Sequence, residues 1–176
     1  MADFSAGTGM GSSSSYTVAL LKGLNQLKRR YISVKDIAEE ACKIEIDLIG
    51  KPIGKQDQYI AAYGGFRYIQ FNPDETVSTE PVMWSAENKE KLIQNLMLFY
   101  TGDVREASSI LREQKENTRQ SQKMETLRKM RDMALDLKDK LNGSAAPEVF
   151  GDVLHQGWLL KKQLARKFSN LSVYST

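Results

Sequence analysis

From Ser14 to about Arg30 the apolar residues Val18, Leu21, Leu24 and Leu27 fall three apart, with Leu20 beside them. That spacing puts them on one side of a helix. A second helix is predicted to start at Ser33, where Asp36 completes a capping-box-like pair. Its buried stripe is Ile37, Ala41, Ile44 and Leu48, with Cys42 alongside. Gly50-Lys51-Pro52-Ile53-Gly54 breaks that helix, since proline and two glycines favour a turn. A short third helix opens within Lys55-Gln56-Asp57-Gln58-Tyr59 and runs over Ile60 to Tyr63. Gly64-Gly65 then leads into an aromatic-rich strand, Phe66 to Phe71, ended by Asn72-Pro73-Asp74. Val77 to Trp84 reads as another strand, with Pro81 where an edge strand tolerates it.

The second half is more helical. Asn88 to Gln94 predicts a short helix, and Leu96 to Tyr100 a buried strand ending at Thr101-Gly102. Val104, Ala107, Ile110 and Leu111 make the next helical stripe. Met124, Leu127, Met130, Ala134, Leu137 and Leu141 resume the pattern until Asn142-Gly143 stops it. The apolar-free stretch between Leu111 and Met124 breaks heptad continuity, so two helices of a bundle flanking a sheet fit better than a coiled coil. After Pro147, Val149, Phe150, Val153 and Leu154 begin the last helix. The whole is a mixed α and β chain.

Composition narrows the class. With 176 residues the chain can bury a real core. An apolar content of 41% and a charged content of 27% are ordinary for a globular protein. A net charge of +3 gives nucleic-acid binding little support, and the basic run Lys28-Arg29-Arg30 suits a helix C-terminus or a solvated end. No apolar run approaches a membrane span and no signal peptide is visible, so the expectation is a cytoplasmic protein without membrane or nucleic-acid partners. The single Cys42 excludes an internal disulfide framework, and the single His155 favours a structural role over a metal ligand.

The chemistry concentrates at Gly7-Thr8-Gly9-Met10-Gly11-Ser12-Ser13-Ser14-Ser15, directly before the first helix. Alternate glycines permit φ > 0 and close approach of a ligand to the backbone. Hydroxyl side chains at a helix start cap its free N–H groups or leave them to a phosphate, which the helix dipole also favours. The loop is not a Walker A motif, because no lysine follows the last glycine. A flexible Gly/Ser linker is the competing reading. From the residues alone, Asp57 is a helix N-cap, Glu45 an ordinary helix carboxylate, and Arg105 a surface arginine.

Gly9-Met10-Gly11-Ser12-Ser13-Ser14 resembles the second, phosphate-binding motif of the GHMP kinases (galactokinase, homoserine, mevalonate and phosphomevalonate kinases). Within that superfamily the chain is similar to the D-glycero-D-manno-heptose 7-phosphate kinases. Gly54 to Gly65, Tyr100-Thr101-Gly102 and His155 to Lys162 carry the same resemblance in the same order, from Asp3 to about Asn170. Ser5 stands where the family often has proline.

The resemblance implies an α+β fold: residues 1–80 as the remainder of an ATP-binding N-terminal domain, and 81–176 as part of a ferredoxin-like helix/strand C-terminal domain. The family's first and third motifs are not seen, which suggests a middle piece of a longer enzyme. ATP and Mg2+ are the implied cofactors, and a sugar phosphate the implied substrate. Gly7, Gly9, Gly11, Ser12, Ser13 and Ser14 would hold the nucleotide phosphates. Ser13 and Glu45 would hold Mg2+, with Ser12 and Ser14 close competitors for the serine role. Asp57 would accept or orient the proton of the sugar hydroxyl. Lys55, Gln58, Gly64, Gly65, Arg105, Trp158, Lys161 and Lys162 would lie on the substrate side. The implied activity is phosphorylation of the anomeric hydroxyl of a heptose 7-phosphate, with a fucose-type sugar kinase as its neighbour. An inactive remnant, or a helical interaction module without turnover, is the alternative.

Overall fold

The computed structural model describes residues 10–99 and 121–164. These fall into two compact units, one ending at Pro81 and the next beginning at Val82. Gly7, Gly9, Thr101-Gly102, Arg105 and the stripe from Val104 to Leu111 lie outside the described residues.

The first unit is three helices and a hairpin. Helix α1 spans Ser12–Leu27, α2 Val34–Cys42 and α3 Gln56–Tyr63. Helix α2 begins as its sequence predicts: Ser33 is the N-cap, and its Oγ accepts the Asp36 backbone N–H at 3.1 Å. At Lys43–Leu48 the same helix widens into a π turn. Strands β1 (Arg67–Phe71) and β2 (Val77–Pro81) pair antiparallel, from Arg67 against Pro81 to Phe71 against Val77. The Asn72–Thr76 turn is closed by Asp74, whose Oδ1 accepts both the N–H and the hydroxyl of Thr76. Pro81 sits at the last pair of the ladder, where its missing N–H does least harm.

Three helices bury one core. Val18 and Leu21 of α1 meet Ile37, Ala38, Ala41 and Cys42 of α2 and Tyr59 and Ala62 of α3. Ile69 and Val77 of the hairpin pack against that cluster. Ala38 and Ala41 are fully buried, so small side chains let the helices approach closely. The predicted α1 stripe is only half used: Val18 and Leu21 are buried, while Leu20, Leu24 and Leu27 are exposed. The α2 stripe holds through Ile44, which is half-buried against the core, and departs from expectation after it. It continues through Glu45, and Leu48 is exposed, because the π turn inserts a residue and rotates the helix end off the apolar face. Cys42 packs in this core, and burial raises its thiol to about 11 despite the opposing influence of Lys55.

In the second unit, Val82 and Trp84 leave the strand and are buried. The Trp84 indole N–H donates to the Ala145 carbonyl at 2.8 Å, and the Met83 N–H to Asn142 Oδ1 at 2.8 Å. Helix α4 spans Ala86–Gln94, α5 Ser121–Asn142 and α6 Glu148–Leu164. Helices α5 and α6 pack on each other across the short loop containing Gly143 and Pro147, with Leu141 and Leu164 buried. The strand predicted at Leu96 to Tyr100 is not formed over residues 96–99, which are irregular and exposed. A strand needs a neighbour for its N–H and C=O groups, and none of the described residues pairs with this run. Among the described residues, no helix is long and apolar enough to cross a membrane.

Ile37 is 4% exposed in the three-helix core. Ile37→Ala should therefore cost about 3 kcal/mol of unfolding free energy in urea titrations.

Candidate active site

The start of α1 carries no side-chain cap. Gly11 is its N-cap in the left-handed region (φ 64°), with no side-chain cap bond and no acidic residue in the first turn. The first backbone bond of the helix runs from the Ser15 N–H to the Gly11 carbonyl at 3.0 Å. The earlier N–H groups of the helix therefore open outward, at the positive end of the dipole. Two of the serines at this helix start, Ser13 and Ser14, are engaged elsewhere.

Ser13 and Ser14 turn their hydroxyls down to Glu45. Ser13 Oγ donates to Glu45 Oε1 at 2.7 Å, and Ser14 Oγ donates to Oε2 at 2.7 Å. From the first turn of α3, Gln58 Nε2 donates to Oε2 at 2.7 Å. The Lys51 ammonium donates to Oε1 at 2.8 Å, forming an ion pair. Glu45 is 0% exposed, so one buried carboxylate ties the glycine-serine loop, the π turn, the turn after it and helix α3. Its burial alone would raise its pKa. Hydrogen bonds from Lys51, Ser14, Ser13 and Gln58 outweigh that and hold it at about 2. The π turn delivers this carboxylate to the helix start, a placement common for π turns at functional sites.

Asp57 completes the arrangement. It stands in the first turn of α3, whose N-cap is Lys55, so the N-cap reading of Asp57 does not hold. A Cβ built on Gly11 would lie 3.4 Å from Asp57 Oδ2 and 3.5 Å from its Cγ. The exposed carboxylate thus lies against the loop that opens α1. Gln58, next in sequence, points the other way and is buried. The rotation of about 100° between consecutive helix positions separates the solvent-facing acid from the structural amide.

The remaining candidates divide. Gly11, Ser12, Ser13, Ser14, Glu45, Asp57 and Gln58 converge at the α1 start. Lys55 turns aside: its ammonium is 3.7 Å from Glu75 Oε2, and it lines a cleft of about 630 Å3 with Cys42, Tyr59, Asp74 and Thr76. Gly64 and Gly65 have φ of 65° and 73° and reverse the chain after α3, about 10 Å along the helix from Asp57. Arg67 anchors that reversal, its Nε donating to the Gly64 carbonyl at 2.9 Å and its guanidinium lying over Tyr63. Trp158, Lys161 and Lys162 are on α6 of the second unit, with the Lys162 ammonium 5.7 Å from the Trp158 ring. His155 is exposed on that helix. Sequence reasoning missed Lys51, whose only signal was a basic residue in the turn six positions after Glu45.

The donor set suits a hard divalent cation chemically. A carboxylate and a serine hydroxyl are hard oxygen donors, and Mg2+ takes few protein ligands and completes its shell with phosphate and water. Gln58 Oε1 is also buried without a hydrogen-bond partner among the described residues, an unsatisfied oxygen beside the same carboxylate. Glu45 and Ser13 are the residues that fit.

The first unit thus sets an uncapped helix start above a buried carboxylate, with an exposed acid beside it. Residues 2–65 match the family model described as the GHMP kinases N terminal domain. The chain is 27% identical over 168 residues to a D-glycero-alpha-D-manno-heptose 7-phosphate kinase of Campylobacter jejuni, covering 96% of this chain and 49% of the relative. It is 31% identical over 107 residues to a galactokinase of Pyrococcus furiosus, covering 61% and 29% respectively. A solved structure of a D-glycero-D-manno-heptose 1-phosphate kinase from Bacteriodes thetaiotaomicron superposes with a TM-score of 0.70 at 26% identity, covering 98% of this chain and 48% of that one. The GHMP-kinase-like α+β fold is therefore established, and the chain spans about half the length of the heptose kinases it matches.

Two outcomes follow from the site. The Glu45 pKa is lowered from 4.5 to about 2 on folding, so its contribution to stability is complete above pH 4.5 and is lost as pH falls towards 2. Urea titrations in metal-free buffer should show that loss, with a shallower fall in Glu45→Gln. Gly11→Ala should cost about 1 kcal/mol, because alanine is strained at φ 64°.

Proposed function

We propose that this chain supplies the phosphate cradle and the acceptor-activating acid of an ATP-dependent sugar kinase, whose acceptor is the anomeric hydroxyl of a heptose 7-phosphate. The observation that carries the reading is the Asp57 carboxylate lying against Gly11 at the N-terminus of α1. A nucleotide's terminal phosphates at that helix start would bring the phosphorus near the acid. The names of the heptose kinases that match most of the chain support the acceptor class.

In the reaction the acceptor oxygen bonds to the γ-phosphorus while the bond from that phosphorus to the ADP oxygen breaks. The hydroxyl proton passes to Asp57, which receives it only if the two meet within hydrogen-bond reach. The N–H groups of Ser12, Ser13 and Ser14 take up charge on the phosphates, and a site of this kind works chiefly by positioning and neutralising. Mg2+, held by Ser13 and Glu45, would neutralise further phosphate charge. Gln58 serves this site through Glu45, to which it is bonded, so it is a positioning residue. Lys55, Gly64, Gly65, Arg105, Trp158, Lys161 and Lys162 remain candidates for the sugar-phosphate side. The cytoplasm, which supplies MgATP, is the fitting compartment.

Asp57→Asn keeps the shape and removes the base. Turnover of MgATP with heptose 7-phosphate should fall about 10²–10⁴-fold, while ATP affinity measured by calorimetry stays within the wild-type range. Undiminished turnover in the variant would take Asp57 out of the catalytic role.

A further inference from the structure

The four bonds to Glu45 are not equivalent. Oε2 is held by Ser14 and Gln58, both buried and both neutral. Oε1 is held by Ser13, which is exposed, and by Lys51, whose side chain is 34% exposed. One oxygen therefore anchors the fold, and the other faces the open side with an ammonium on it.

We propose that Lys51 is the resident counter-ion of Glu45, and that a divalent cation binding at Glu45 Oε1 and Ser13 displaces it. This rests on the reading of Glu45 and Ser13 as cation ligands. A buried carboxylate needs a positive partner, which Lys51 supplies in the cation-free protein. A dication at the same oxygen repels the ammonium and replaces its charge, so the two compete for one position. Ser13 spends its hydrogen on Oε1 and keeps lone pairs for a metal.

The local structure allows the exchange. The Lys51 N–H donates to the Glu45 carbonyl at 3.0 Å, which fixes the backbone where Gly50 (φ 75°) turns it. Only the four-carbon stem has to rotate, and it is already partly in solvent. Ser14 and Gln58 keep Oε2 in place during the exchange, so the loop and helix α3 need not move.

The test uses Mn2+ as the probe, followed by calorimetry and by the electron spin resonance of free Mn2+, on the wild type, Lys51→Met, Lys51→Arg and Glu45→Gln. Lys51→Met should bind Mn2+ about ten-fold tighter than the wild type. Lys51→Arg, which keeps the charge, should bind no tighter, and Glu45→Gln should lose binding. Equal or weaker binding by Lys51→Met, with binding lost in Glu45→Gln, would overturn the counter-ion role and leave the cation site standing. Unchanged binding in Glu45→Gln would instead remove the cation reading itself, and the counter-ion role with it. If Lys51→Met unfolds without metal, Mn2+ but not NaCl of equal ionic strength should restore its circular dichroism; no restoration counts against the proposal. In the wild type, the nitrogen resonance of the Lys51 ammonium should move to its solvent-exposed position on adding diamagnetic Mg2+. A resonance that stays put while Mg2+ binds would also refute it.

Discussion

One buried carboxylate organises the first unit. Glu45 has no access to solvent, and the cost of burying a charge is met by four donors from three separate segments. Each donor is thereby fixed in position. The glycine-serine loop is held down by Ser13 and Ser14, and α3 is held in by Gln58. Because Gln58 is held, its neighbour Asp57 faces outward against Gly11. The electrostatic requirement of one residue becomes the geometry of the site.

The apolar core beneath has a complementary role. Ala38 and Ala41 bring α2 close to its neighbours, and Val18, Leu21, Tyr59 and Ala62 close the space around them. A well-packed three-helix core resists sliding of one element past another. The π turn connects the two, since α2 contributes apolar residues up to Cys42 and then places Glu45 in line with them. Lys22 adds a small tie, its ammonium donating to the Ala62 carbonyl at the end of α3 at 3.0 Å.

The site thus separates jobs among chemically similar groups. Two carboxylates lie near one helix start, one buried and saturated with donors, the other exposed and adjacent to backbone. Two neighbouring serines differ likewise: Ser14 is buried and structural, while Ser13 keeps one side to solvent. Burial, not residue type, decides which group is available for chemistry.

Much of this was legible in the chain itself. Apolar spacing at 18 and 21, the Ser33 cap and the punctuation at Gly50–Gly54 and Gly64-Gly65 are local signals, and the elements they marked are present. Local signals work there because capping and turn conformations depend on residues a few positions apart. The resemblance of Gly9 to Ser14 and of Gly54 to Gly65 to one kinase superfamily pointed at the loop, Glu45 and Asp57 together. What the sequence could not determine is set by contacts between distant positions. Whether Glu45 is an exposed helix acid or a buried hub depends on Ser13 and Ser14, more than thirty residues away. The turn of Lys55 towards Glu75, the pairing of Lys51, the π turn and the exposed run at 96–99 likewise follow from which neighbours exist in space. Composition and period describe a residue's own segment, and only the tertiary structure supplies the partners that fix its charge, burial and role.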